Sequence, residues 1–166
     1  MNHKIYIQTS ADTNIYNYYE TLISKAIIDT LQNEKIDTSC VVDVLVTDDE
    51  GIRKFNHLYR NIDKATDVLS FPMQTFLQAG CDGLDKPEFD ENTGDLPLGD
   101  IIISMESAIR QAEDYGNTIE YETAYLIIHS TLHLIGYDHN DDNKEIQMHK
   151  KNKAITQRMG LTVNDK

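Results

Sequence analysis

Apolar positions along the chain change period several times, and each change marks an element. Ile5 and Ile7 alternate with polar neighbours across residues 3–9, which predicts a strand. Residues 10–14 are polar and turn the chain. From Ile15 to Gln32 the apolar residues recur at helical spacing (Ile15, Tyr18, Tyr19, Leu22, Ile23, Ala26, Ile27, Leu31), which predicts an amphipathic helix. Residues 40–46 are mostly β-branched and apolar, a strand. Thr47 or Asp48 then caps a helix running through Ile52, Phe55, Leu58 and Tyr59 to about Arg60. Residues 66–71 form a short extended segment closed by Pro72, because a residue before proline avoids the helical region.

Residues 74–98 show no period, and their later half is acidic. A loop of this length is expected to be mobile. Gly99 to Ser104 read as a strand through Ile101, Ile102 and Ile103, apolar enough to be buried on both faces. Ser104 is placed to cap a helix that ends at about Tyr115, before Gly116. Asn117 is expected to cap the next helix, with Glu120 in the reciprocal capping position. That helix is apolar almost all round from Ala124 to Ile135, so it should lie deep in the domain. A last helix is predicted from Asp141 to Met159, stopped by Gly160. Strands and helices mix without strict alternation, which predicts an α+β fold, with residues 1–166 as a single domain.

The buried helix carries the candidate chemistry. His129 and His133 are four apart, one turn above each other on one face. Gly136 is a natural helix stop, and a turn there brings His139 back toward the same point. Three imidazoles from a helix and the turn behind it suit a divalent metal, with a fourth position left open as in catalytic sites. A metal-free cluster would need several further hydrogen-bond partners inside a buried helix, so the metal is the preferred reading. The same spacing occurs in metzincin peptidases, where the residue after the first histidine is a glutamate base. Here it is Ser130, which cannot act as that base. Asp138 either orients His139 or shapes the turn. His3, His57 and His149 read as structural or surface residues.

Composition narrows the classes. The chain has 166 residues, 40% hydrophobic and 26% charged, so it is a globular chain able to bury a core. No run is long enough to span a membrane, and the N-terminus lacks the apolar core of a signal peptide, so a cytoplasmic protein is expected. Cys40 and Cys81 read as free thiols. The net charge of −13 argues against loose attachment to nucleic acid or anionic membranes, but leaves a local site for a nucleic-acid substrate open.

Three blocks of sequence resemble the YbeY family of metal-dependent endoribonucleases of bacterial ribosomal RNA maturation. The first is His129 through His139, similar to the family's H-G-x-L-H-L-x-G-Y-D-H. The second is Asn56-His57-Leu58-Tyr59-Arg60 followed by Thr66-Asp67-Val68-Leu69-Ser70-Phe71-Pro72. The third is Leu98-Gly99-Asp100-Ile101-Ile102-Ile103-Ser104. The departure is Ser130, where the family typically has glycine. The resemblance implies an α+β fold with a small mixed sheet packed with several helices. It implies one zinc ion held by His129, His133 and His139, and a functional Arg60. Guanidinium presents a planar fork to phosphate oxygens and stays charged at any working pH.

On that resemblance the expected activity is hydrolysis of phosphodiesters in single-stranded RNA, with Arg60, His129 and His133 as the catalytic group. The expected substrate is ribosomal RNA precursor, at the 3′ end of the small-subunit RNA. Ribosomal proteins or the subunit itself are the expected partners, with no DNA and no membrane. Two rivals remain at this point: a metzincin-like peptidase, and a non-catalytic ribosome assembly factor whose zinc is structural and closed by a fourth ligand. No residue presents itself as the general base. Activated water and the RNA's own 2′-hydroxyl are both open as nucleophiles.

Overall fold

A four-stranded mixed sheet carries the period-two stretches. The computed structural model describes residues 2–10 and 16–163. Its strands are β1 (Lys4–Thr9), β2 (Cys40–Thr47) and β3 (Val68–Pro72), then the short β4 (Thr75–Phe76) and β5 (Leu84–Asp85), and last β6 (Leu96–Ser104). The main sheet runs β1-β2-β6-β3; β1, β2 and β6 are parallel, and β3 is antiparallel to β6. Strands β4 and β5 form a separate two-stranded ladder.

Five helices surround the sheet: α1 (Glu20–Asn33), α2 (Asp49–Arg60), α3 (Met105–Tyr115), α4 (Ile119–Leu134) and α5 (Asp142–Arg158). Val42, Val44, Val46, Ile101 and Ile103 point to one face and join Ile23, Ile27 and Leu31 of α1 and Ile127, Ile128 and Leu132 of α4 in the main core. On the other face, Ile102 and Leu69 pack with Ile52 of α2 in a smaller cluster. Strand β6 is therefore buried on both faces, as its run of isoleucines requires. Burial also pushes the Cys40 thiol up to about 12, so it stays protonated and inert; Cys40 and Cys81 are both free. Among the described residues, no helix is long and apolar enough to cross a membrane.

Most boundaries follow the sequence reading, and the differences have local causes. Asp48, Ser104 and Asp141 cap α2, α3 and α5, each side chain accepting a hydrogen bond from a backbone N–H three residues on. The cap of α4 is Thr118, not Asn117: its hydroxyl accepts from the Tyr121 N–H at 3.1 Å. Asn117 instead turns its amide to Glu122 at 2.7 Å, and Glu120 falls outside the capping position. Helix α1 begins at Glu20 after a three-ten turn over residues 16–19, with Tyr18 exposed. Residues 11–15, where the turn and the first helical position were expected, lie outside the described residues. His3, read as a structural or surface residue, is structural: it is buried at the head of β1, where its Nδ1 accepts from the Cys40 N–H at 3.2 Å.

Strand β6 starts three residues earlier than predicted. Residues 96–98 fall in the stretch read as irregular, but the strand takes them in through a bulge: Val41 pairs with Pro97 and Val42 with Gly99, leaving Leu98 without a partner on β2. Gly99 is fixed by the close approach of β3. Its φ is +141°, and a Cβ there would sit 2.2 Å from the Phe71 carbonyl oxygen and 3.0 Å from Leu134 Cδ2. Backbone cannot yield as a side chain does. Gly99→Ala is expected to lower stability by about 2 kcal/mol or more, read from urea unfolding. An unchanged midpoint would refute the contact.

Candidate metal centre and its cleft

The metal-type cluster is assembled at the C-terminal end of α4. His129 and His133 stand one turn apart, with ring centroids 4.6 Å apart and Nε2 atoms 3.0 Å apart. Helix α4 ends at Leu134 with Ile135 as its C-cap, and the chain reverses at Gly136, where φ is +95°. The Gly136 and Tyr137 N–H groups donate to the carbonyls of His133 and Leu132 at 3.1 and 3.0 Å. This reversal returns His139 to ring-centroid distances of 5.0 Å from His133 and 5.8 Å from His129. One nitrogen from each of the three rings then lies within 4.8 Å of the others.

Protonation suits the cluster to a cation. His133 Nδ1 lies 2.8 Å from the Tyr137 carbonyl oxygen. A carbonyl only accepts, so Nδ1 carries the proton, and the Nε2 lone pair faces the shared point. Burial, and then the charges of His133 and His139, lower the His129 pKa to about 4 against a weaker opposing pull from Asp67. His133 is also lowered, chiefly by burial, with His139 and Arg60 adding to it and the Tyr137 bond opposing. Neutral imidazole is the ligand form, and a backbone carbonyl fixing the second nitrogen is a usual support for it. Tetrahedral zinc with Zn–N of about 2.0–2.1 Å needs donors roughly 3.3 Å apart. The His129–His133 pair is close to that, and His139 stands half exposed on the rim with a donor within 4.8 Å of the other two. Among the described residues, no fourth histidine, cysteine or carboxylate joins the three. The residues present therefore fit a divalent metal with one open side.

The open side faces a cleft of about 1020 Å³, with α4 as its floor. Arg60 lines the same cleft from the end of α2, where Asn61 ends the helix in the left-handed conformation. Among the described residues no carboxylate or other acceptor pairs with Arg60, so its fork is available. Asp67 stands nearby, its carboxylate accepting from the Val68 N–H at 2.7 Å and from Gln111 at 3.0 Å.

These positions now meet the comparison with known proteins. A family model described as Endoribonuclease YbeY matches residues 5–160. The chain belongs to the YbeY family. A curated relative named Endoribonuclease YbeY from Caldanaerobacter subterraneus is 43% identical over 142 residues, covering 86% of this chain and 88% of its own. Another of that name, from Caldicellulosiruptor bescii, is 38% identical over 160 residues, covering 96% and 99%. In fold, the chain resembles a solution structure of a Thermotoga maritima protein, with a TM-score of 0.55, 24% identity, and coverage of 94% and 91%.

Two features of this YbeY chain escaped the sequence reading. The first is what holds the turn. The Tyr137 hydroxyl donates to Glu34 Oε2 at 2.5 Å, and Lys151 reaches the same carboxylate at 3.1 and 3.3 Å while lying 5.2 Å from the Tyr137 ring centre. Residue 137 is thus tied to the end of α1 and to the middle of α5. Since its carbonyl also sets the His133 proton, this network steadies that ring. Glu34 is nearly buried, with 5% of its side chain exposed. Lys151→Met is expected to lower stability by about 1–3 kcal/mol, because it strands that carboxylate. Adding Glu34→Gln should recover part of the loss in a thermal melt; a deeper loss in the double variant would refute the pairing.

The second is the segment 74–98, which has more local structure than its composition suggested. Its β4–β5 ladder docks on the metal-side turn: the Gly80 N–H donates to the Ile135 carbonyl at 3.0 Å, and a Cβ on Gly136 would lie 2.6 Å from Phe76 Cβ. Gln74 clamps the far end, its amide donating to the carbonyls of Pro97 and Glu88 at 2.8 and 3.2 Å. Ser130 is buried, and its hydroxyl has no hydrogen-bond partner among the described residues. Asp138 accepts from the His139 N–H at 2.7 Å and lies 3.8 Å from that ring's Nδ1, so it shapes the turn beside the ligand. His57 is exposed, whereas His149 lines the cleft and bonds the Tyr125 hydroxyl at 2.9 Å.

Proposed function

We propose that this YbeY-family chain is a zinc-dependent endoribonuclease acting on single-stranded RNA. One observation supports the reading above all: three clustered imidazoles with an open side, and a guanidinium that no acceptor among the described residues pairs, line one cleft. When bound by His129, His133 and His139, zinc supplies Lewis acidity at the scissile phosphate. Arg60 grips two phosphate oxygens with its fork and opposes the charge that builds there as the bond breaks. The Tyr137 carbonyl holds the proton on His133 Nδ1, so Nε2 keeps facing the ion. Ser130 in place of a glutamate argues against peptide hydrolysis, and the three-ligand set argues against a closed structural zinc.

The biological substrate in this reading is ribosomal RNA precursor at the 3′ end of the small-subunit RNA, processed in the cytoplasm. An acidic chain at −13 is poorly steered to RNA by its own field, which favours delivery through a ribosomal protein or subunit. The test is one RNA sequence offered as a single strand and as a duplex. The single strand should be cut, the cutting should stop with chelator, and added zinc should restore it. Cleavage that survives full metal removal would sink the reading.

A further inference from the structure

We propose that the arm of the cleft built by Tyr125, His149 and Tyr115 is a base-stacking subsite for the nucleotide beside the scissile phosphate. The proposal rests on the endoribonuclease reading above and deepens it. Tyr125 precedes His129 by four residues on α4, about 6 Å along the helix axis. That is on the order of one or two nucleotides at about 3.4 Å per stacked residue. A base seated at Tyr125 is therefore next to a phosphate held at His129 and Arg60.

The arm is built as a rigid aromatic surface. The Tyr125 hydroxyl and His149 Nδ1 are 2.9 Å apart, and the two ring centroids 6.1 Å apart. Tyr121 stacks behind Tyr125, with centroids 6.1 Å apart and planes 29° apart, and is itself only 6% exposed. Tyr115, 67% exposed, enters the same cleft from the end of α3. Packing of α4 on α5 explains Tyr121. It does not explain why His149 and Tyr115 stay open to the cleft.

Electrostatics decide what part of the RNA enters. Arg60 is the one lysine or arginine lining the cleft among the described residues. The aromatic arm instead carries Glu122, held by Asn117 at 2.7 Å. A carboxylate there repels phosphate but tolerates an uncharged base and accepts from its amino groups. The chain's charge of −13 also denies it a general pull on RNA. Stacking, worth about 1–3 kcal/mol per base, is the term that remains to hold the strand.

The experiment measures kcat/KM on a short single-stranded RNA with one mapped cut. It is compared with the same RNA carrying an abasic residue at each flanking position in turn. Wild-type protein should show one flanking position where base removal lowers kcat/KM about tenfold or more. Tyr125→Ala should bring that penalty to within about twofold, and Tyr125→Phe, which keeps the ring, should retain it. His149→Ala, on an exposed position of α5, should reduce the penalty in a chain whose fold and metal content are unchanged. A penalty of the same size in wild type, Tyr125→Ala and His149→Ala overturns the subsite, as does the absence of any penalty. Cleavage of the intact RNA by wild type separates the two failures. Without it the endoribonuclease reading falls; with it but without a base-dependent penalty, the subsite alone falls.

Discussion

His133→Ala is expected to purify without its metal and to lose about a thousandfold or more of its RNA cleavage. The residue contributes twice to the site. Its Nε2 faces His129 Nε2 at 3.0 Å, so its removal leaves two donors, one of them on a half-exposed ring. Its Nδ1 proton is also the link to the Tyr137 carbonyl, which ties the turn to the end of the helix. Loss of both loosens the path that returns His139. Metal analysis and a cleavage assay on the same preparation check the result. A variant that keeps one ion per chain and normal turnover would show that the three histidines are not the ligand set.

Arg60→Ala is the complementary expectation: full metal content, with kcat/KM down by about 10²–10³. Arg60 is exposed and makes no hydrogen bond or ion pair among the described residues, so stability should stay within about 0.5 kcal/mol of wild type. Arg60→Lys should recover little, since an ammonium presents a point charge where the phosphate needs a planar fork. Unchanged kcat/KM in Arg60→Ala would remove the phosphate role outright. If the metal were lost as well, Arg60 would have to be reassigned from substrate to scaffold.

The parts of the site that were legible in the sequence are those built locally. His129, His133, Gly136 and His139 sit within one helix end and its turn, so their spacing alone placed them. Arg60 is different. Nothing in its own helix separates a phosphate clamp from an ordinary helix-terminal arginine, and the resemblance of its sequence block supplied the role. The Glu34–Tyr137–Lys151 network left no signal, because its members are 103 and 117 residues apart in pairs and look like ordinary polar positions. His149 was hidden for a related reason, since facing Tyr125 across the cleft is a property of how α5 packs on α4. The start of β6 was missed because residues 96–98 show no strand period of their own, and it is pairing with β2 through a bulge that draws them into the strand.

Helix α4 closes the core against α1 and β6, and it also carries two of the three clustered histidines, His129 and His133. During synthesis, β1 and β2 emerge early, but the central strand β6 begins only at Leu96 and α4 only at Ile119. The half-made chain therefore has α1 against one apolar face of β2 but lacks β6 and α4 to complete the cover, the kind of intermediate that aggregates or occupies chaperones. The element that ends that exposure is the one that arms the site. A nascent chain gathers His129, His133 and His139 only as it becomes folded, so a protein proposed to cut RNA is born on the ribosome without the means to cut.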